Sequence, residues 1–430
     1  MTKSEMFQAL LTNIAVDNAA SISQRYGELT SALNKAFRDT DSKTANSLQV
    51  GSYGRWTAIK GISDLDMLYI MPKAKWDTYK DSKQLKLLQD AKAAIDLRYP
   101  GTKTKVDRNV VVVTFQNFEI EVVPVFQRVE GGFLFPDSYG DGSWPTTNPQ
   151  AEISAVSTLD AEKNGNLRRL CKMARAWKNK HGVGMGGLLI DTLAYNFLNS
   201  TSNYDTKSYS SYDRLVRDFF EYLKDLPNQD YYKAPGSQQH VRVKKRFQRK
   251  AKKAFNLANK AIEAEGKDYA HDRWKKLFGR PFPARPQEVE EAALSKAADA
   301  WDNTEQFVED RFGIDVRFNV EIDCEVSQNG FREFFLRDVT SRIIPLKAKK
   351  RLLFNITAND TPAPFDVYWK VLNRGGDTYK RNCVRGQIVR DEGHSKKKET
   401  TDFRGEHIVE CYIVKNGVVV AKDRIDVPIG

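Results

Sequence analysis

Gln49-Val50-Gly51-Ser52-Tyr53-Gly54-Arg55-Trp56-Thr57-Ala58-Ile59-Lys60-Gly61-Ile62-Ser63-Asp64-Leu65-Asp66 is the stretch whose reading decides the fold. Ser47-Leu48-Gln49-Val50 reads as a short strand ending in a Gly-Ser turn, and Leu65 to Met71 as a buried strand. Eleven residues separate Ser52 from Asp64, enough for a short helix or loop that returns the chain to the second strand. Asp64 and Asp66 are two apart, so a strand points both to one face and sends Leu65, Met67 and Tyr69 into the core. Glycine permits a phosphate to approach the backbone closely, and the serine hydroxyl with its neighbouring amides can bind phosphate oxygens.

A lone Gly-Ser or a lone Asp-x-Asp reads equally well as a turn and a solvated strand end. Here they occur in order, and a second acidic strand follows about 55 residues later. Phe118 to Phe126 carries Glu119 and Glu121 on one face of an otherwise apolar run. Carboxylates from neighbouring strands form the ligand set for two divalent ions about 3.5–4 Å apart. Such a pair neutralises an α-phosphate and a departing pyrophosphate, and lowers the pKa of an attacking hydroxyl. That is the chemistry of nucleotide transfer.

Outward from this segment, Met6, Leu10, Leu11, Ile14, Ile22, Tyr26, Leu29, Leu33 and Phe37 recur at helical spacing, as one long helix or two broken near Asp17-Asn18. Residues 83–97 are again helical, and Val110 to Val113 and Phe118 to Phe126 are strands. A Gly/Pro/Asp/Ser-rich loop spans 130–150. Helical patterns then cover Leu159 to Asn199, Tyr212 to Leu226 and His240 to Glu265, up to the prolines at Pro281, Pro283 and Pro286. From Val316 the pattern is all β, with Lys415-Asn416-Gly417 between two strand-like runs as a type I′ hairpin turn. The expected fold is α+β: a mixed-sheet catalytic lobe over 1–155, a helical lobe over 156–300, and a C-terminal β sandwich-like domain with its linker over 301–430.

The net charge of +12 is uneven. Residues 1–300 carry 46 Lys+Arg against 35 Asp+Glu, whereas Trp301 onward carries 22 against 21, which places nearly all the excess with the first two lobes. A basic surface concentrates polyanions. Four cysteines without a CxxC pair, and five scattered histidines, imply neither a zinc cluster nor a disulfide framework. With no secretory h-region and only strand-sized apolar runs, the expectation is a cytoplasmic protein without a membrane partner.

The Gln49–Asp66 segment resembles the signature of the DNA polymerase β-like nucleotidyltransferases, and more closely the cGAS/DncV-like group of bacterial second-messenger oligonucleotide synthases. Asn166-Leu167-Arg168-Arg169-Leu170, Arg175-Ala176-Trp177-Lys178 and Gly187-Leu188-Leu189-Ile190-Asp191-Thr192-Leu193 are similar to that group's helical core. The resemblance implies that Asp64, Asp66 and Glu121 act as catalytic residues holding two Mg2+ ions, with Mn2+ as an alternative. Glu121 departs from the group, in which Asp is commoner, but its Glu121-Val122-Val123-Pro124 context favours it over Glu119. The resemblance further implies nucleotide binding by Gln49, Gly51 and Ser52, triphosphate contact by Arg175 with Lys172 as a lesser candidate, and base stacking by Tyr231 or Tyr232. Packing at a lobe seam is an equal reading for the two tyrosines. Lys178 reads better as a solvated helix face.

The basic run Arg242 to Lys253 suggests a nucleic-acid activator, yet Val243, Phe247, Ala251, Ala254, Phe255 and Ala258 recur at helical intervals, so a solvated helix is the better reading. Phe365 to Gly375 and His407 to Val418 look like the AGS-C sensor domain appended to some of these synthases. There Trp369, Asn373, Arg374, Arg385 and His407 offer stacking and polar groups, with Trp369 better read as core. The function implied is synthesis of a cyclic or linear oligonucleotide messenger from nucleoside triphosphates, ATP included, in antiphage signalling. Alternatives are transfer of one nucleotide to a protein, a tRNA end or a small molecule, and a catalytically silent nucleotide sensor.

Overall fold

The computed structural model describes residues 1–62, 64–116, 118–285, 305–327, 333–340, 345–347, 349–373, 385–401 and 405–430. The chain divides into two compact units, one of Thr2–Ala176 with Gly186–Glu263, the other of Trp177–Met185 with Ala264–Gly430. No described helix is long and apolar enough to cross a membrane.

In the first unit the amphipathic N-terminal pattern forms two helices, Lys3–Asn13 and Ala19–Arg38, interrupted at Asp17-Asn18. The mixed sheet runs in the order Ser47–Gln49, Asp64–Ile70, Glu119–Gln127, Val110–Thr114, Lys103–Asp107. Asp64–Ile70 and Glu119–Gln127 are parallel, while the other neighbours are antiparallel. Strand alternation gives the sheet two faces. Leu65, Met67, Tyr69, Val111, Val113, Ile120 and Val122 pack with Leu29, Leu33, Leu87, Leu88, Ala91 and Ile95 from the helices Ala19–Arg38 and Gln84–Arg98. The acidic residues lie on the opposite face. Lys103–Asp107 was not expected as a strand, because Lys-Thr-Lys-Val-Asp at a sheet edge is half-exposed and gives little apolar signal.

The helical stretch expected over 159–199 is three helices, Pro149–Glu162, Asn166–His181 and Gly187–Asn199. Asn164 and Gly165 break it at positive φ (54° and 74°), as does Gly182 (59°). Pro149 occupies the first turn, where its missing N–H costs nothing, and the Asn148 side chain caps Ala151 N at 3.2 Å. The expectation of a helix from His240 needs correction. His240–Arg242 is a strand paired with Tyr231–Lys233, and the helix begins only at Gln248 and ends at Ile262. Lys244, Lys245 and Arg246 therefore lie in an exposed loop, while Ala251, Ala254, Ala258 and Ala261 form the buried stripe.

In the second unit two sheets make the sandwich. One runs Gly313–Ile314, Val418–Ile429, Gly405–Lys415, Asp366–Leu372, Arg385–Arg390; the other Phe334–Phe335, Val320–Ser327, Arg351–Asn359, Lys396–Thr400. Ile322, Cys324, Phe354, Trp369, Cys411 and Ile413 lie in its core. Trp369 is core as expected, its indole N–H donating to Asp391 Oδ1 at 3.0 Å. Asn416 and Gly417 have φ of 51° and 76°, the two positive values a type I′ turn requires. Arg374, offered above as a polar group of this domain, lies outside the described residues. Lys178 corrects a further expectation. It is buried and pairs with Asp315 at 2.9 Å, and is not a solvated side chain.

The alanine stripe allows a direct check. Ala258→Leu should cost about 1–3 kcal/mol by overpacking, whereas Lys252→Ala on the exposed face should stay within about 0.5 kcal/mol, both read by urea denaturation. Equal effects would overturn this assignment of faces.

Candidate active site

The register of the parallel pair sets the site. Asp64 lies opposite Glu119 and Asp66 opposite Glu121, so four carboxylate-bearing positions share one face of two adjacent strands. Thr114, across the antiparallel neighbour, donates to Glu119 Oε1 at 2.7 Å. Glu121 instead faces Val112 across that ladder, an apolar side chain that offers no such bond. Beyond the carboxylates the same face turns apolar at Leu68 and Val125, which cluster with Val50 and Phe133.

Ser47–Gln49 pairs antiparallel with Asp64–Ile70, and Val50 N donates to Asp66 O at 3.0 Å, so the chain enters the Gly-Ser turn beside Asp66. Gly51 has φ 64°, and a Cβ placed there would fall 1.7 Å from Asp66 Oδ2. Only glycine lets the backbone lie against that carboxylate. A Cβ on Gly54 would likewise sit 2.4 Å from Gln49 O. Ser52 is half-buried, and its carbonyl accepts from Thr57 N at 2.9 Å and Ala58 N at 3.1 Å, which folds the following loop back. In that loop Trp56 stands 69% exposed at φ 62°, an unusual backbone for a bulky residue. Trp56 lies in the Gln49–Asp66 segment, yet neither strand nor helix periodicity singles it out.

Behind the turn is an ionic cluster that sequence reasoning missed. Asp191, fully buried in Gly187–Asn199, accepts from Arg175 Nη1 at 2.5 Å and Nη2 at 3.0 Å, from Arg55 Nε at 2.9 Å, and from Thr57 Oγ1 at 2.8 Å. Burial alone would push this carboxyl up, but the charges of Arg175 and Arg55 override it and hold it at about 2. Arg55 also reaches Glu152, whose other oxygen accepts from Ser237 Oγ at 3.0 Å. Burial raises the Glu152 pKa against the pull of Arg55. One signal for this cluster was present, a single charged residue, Asp191, in the run Leu188 to Leu198.

The remaining expected residues fall in distinct places. Arg175 is 5% exposed and engaged by Asp191 and the Gly187 carbonyl, so its guanidinium sits inside the protein. Lys172, one turn earlier, is half-buried and makes no ion pair among the described residues. Desolvation and the neighbouring Arg168 charge lower its pKa. Tyr231 is exposed and stacks on His240 at 3.7 Å between ring centroids, whereas Tyr232 is buried. The hairpin carrying them is anchored by Ser237 on Glu152 and by Gly236, where a Cβ would meet Ala151 O at 2.2 Å.

Asp64, Asp66 and Glu121 bring carboxylates, the donor class that divalent cations take, to one face of two strands in register. Among the described residues no group of three or more His, Cys, Asp or Glu side chains is gathered into a preformed cage. The fit therefore rests on register and on the Gly51 approach.

Residues 1–160 match the Second Messenger Oligonucleotide or Dinucleotide Synthetase (SMODS) domain, and residues 302–430 match the Adenylyl/Guanylyl and SMODS C-terminal sensor (AGS_C) domain. The chain thus joins a SMODS synthetase domain to a C-terminal AGS_C domain and is similar to the cyclic oligonucleotide synthases of the cGAS/DncV-like group. Cyclic AMP-AMP-AMP synthase from an Acinetobacter species is 24% identical over 339 residues, covering 74% of this chain and 94% of that protein. CdnC of E. coli, solved in complex with HORMA-deltaN, has a similar fold, with TM-score 0.52 and 14% identity over 65% of this chain and 98% of that one. The Vibrio cholerae cyclase DncV matches at TM-score 0.47 and 16% identity over 56% of this chain and 69% of its own.

Two outcomes test the ionic cluster. Asp191→Asn should destabilise the protein by about 3–5 kcal/mol, because two guanidinium groups lose their buried counter-charge. The native carboxylate sits below its unfolded value, so its contribution of about 2–3 kcal/mol is present above pH ~4 and fades as pH falls toward ~2. Denaturant midpoints across that window should fall more steeply for the native protein than for Asp191→Asn.

Proposed function

We propose that the protein joins nucleoside triphosphates, ATP among them, into a cyclic oligonucleotide messenger that acts in bacterial antiphage signalling. The observation carrying this reading is the paired register of Asp64/Glu119 and Asp66/Glu121 with Gly51 packed against Asp66. The name of the Acinetobacter relative makes ATP the first substrate to test.

In the proposed reaction a ribose hydroxyl oxygen bonds to the α-phosphorus of a second nucleotide. The bond from that phosphorus to the β-phosphate oxygen breaks, the hydroxyl proton departs, and pyrophosphate leaves. Two Mg2+ ions bound by Asp64, Asp66 and Glu121 would supply charge neutralisation at the phosphates and activation of the hydroxyl. Gly51 and Ser52 offer backbone amides and a hydroxyl to the β- and γ-phosphates, with Gln49 at the end of the strand that leads into them. We favour Lys172 over Arg175 as the triphosphate cation, a reading supported by the bidentate hold of Asp191 on Arg175. Trp56 and Tyr231, both exposed, offer aromatic faces to a base.

Incubation with labelled nucleotides and Mg2+ should yield a phosphatase-resistant product that Asp66→Asn abolishes. Undiminished product from that variant would sink the proposal. Gly51→Ala should likewise lose most activity at a stability cost of about 1–2 kcal/mol for the left-handed backbone, because the new methyl displaces Asp66. Lys172→Met should weaken ATP binding about tenfold while raising the melting temperature of the unliganded protein, since it removes an ammonium that burial and the Arg168 charge disfavour. A fall in both would instead mark Lys172 as a packing residue.

A further inference from the structure

Among the described residues, Trp56 is the one large hydrophobic side chain strongly exposed between Met1 and Leu85. Its positive φ is a conformation that a bulky residue adopts at a cost, and an exposed indole gains little packing to offset it. The conformation is enforced from both flanks. Arg55 is buried on Asp191 and Glu152, and Thr57 is buried on Asp191 and the Ser52 carbonyl. Trp56 N itself donates to Tyr53 O at 3.0 Å. The chain thus presents an indole to solvent on a fixed backbone, just past the Gly51–Gly54 turn.

A cation stands beside it. Arg168 Nε donates to Arg55 O at 3.1 Å, which brings a guanidinium to the peptide joining Arg55 to Trp56. Its Nη1 lies 3.4 Å from Asp160, and the side chain keeps 27% of its exposure. Arginine carries five N–H donors, so a guanidinium held in this way can still grip a phosphate oxygen. A π face next to a guanidinium matches one nucleotide unit, with the base on the indole and the phosphate on the arginine. A protein partner would call for a wider apolar patch than one indole offers. Lys172, assigned above to the triphosphate, lies one turn further along the helix of Arg168, so the Trp56–Arg168 pair is a separate position.

Closing a ring of nucleotides takes at least two transfers, so a linear intermediate exists between the first and the last. We infer that Trp56 and Arg168 form a subsite for one nucleotide of that linear intermediate, the indole stacked on its base and the guanidinium on its phosphodiester. The inference rests on the proposed synthesis of a cyclic product. It gives the intermediate a place to stay bound between transfers, so that closure outruns release.

The test compares the binding of linear pApA, in its 2′–5′ and 3′–5′ forms, with that of AMP on full-length protein. None of these carries a triphosphate, so nothing turns over. At least one dinucleotide should bind about tenfold more tightly than AMP. Trp56→Gly should erase that preference while the melting temperature holds or rises, because glycine adopts positive φ without strain. Trp56→Tyr, which restores an aromatic face, should keep most of it. With labelled ATP and Mg2+, Trp56→Gly should release linear product that the native protein retains through closure. A dinucleotide preference that survives Trp56→Gly would overturn the inference, as would equal affinity of the native protein for pApA and AMP. A native protein that makes no oligonucleotide, yet shows the Trp56-dependent preference, would instead sink the proposed reaction and leave the dinucleotide subsite standing.

Discussion

A carboxylate with no exposure to water, Asp191, is held by two guanidinium groups and a hydroxyl that come from widely separated parts of the chain. Arg55 and Thr57 belong to the loop after the Gly-Ser turn, while Arg175 belongs to the helix Asn166–His181. Such an ion cluster is no bargain in free energy, since removing three charges from water costs about what their attraction returns. Its effect is geometric. Thr57 N is bonded to Ser52 O, so fixing Thr57 also fixes the turn that brings Gly51 against Asp66. Glu152 and Ser237 extend the same constraint to the hairpin bearing Tyr231.

The carboxylate strands impose a second constraint. Parallel pairing aligns residues in equal steps along both chains, so two Asp-x-Asp-like patterns in register place their acidic groups side by side. A slip of one residue would send Glu119 and Glu121 into the packed face with Ile120 and Val122 exposed. The apolar alternation that builds the core thus also sets the site.

Much of this was legible in the sequence because it repeats at short range. Strand alternation around Asp64–Asp66 and Glu119–Glu121, the break near Asp17-Asn18 and the Asn416-Gly417 turn are all local patterns, and the structure places them where they were read. What the sequence concealed depends on distant partners. Arg175 and Lys178 both looked like outward cations on one helix, and both are buried against carboxylates, Asp191 and Asp315, that spacing does not reveal. The polar edge strand Lys103–Asp107 and the strand His240–Arg242 were likewise decided by their neighbours, as β-propensity is weak without them.

The burial of Arg175 changes the character of the helix that carries it. A guanidinium gripped at both nitrogens cannot swing to a phosphate without abandoning Asp191, and a fully buried unpaired carboxylate is far more costly than a lost surface pair. Lys172 has the opposite economy. Its ammonium is partly desolvated, and the charge of Arg168 lowers its pKa against the opposing pull of Asp160. The two cations stand one turn apart on the same helix, yet one is gripped by a buried carboxylate and the other makes no ion pair among the described residues. What distinguishes them is a single aspartate on the following helix, which is why residue type and spacing could not separate them.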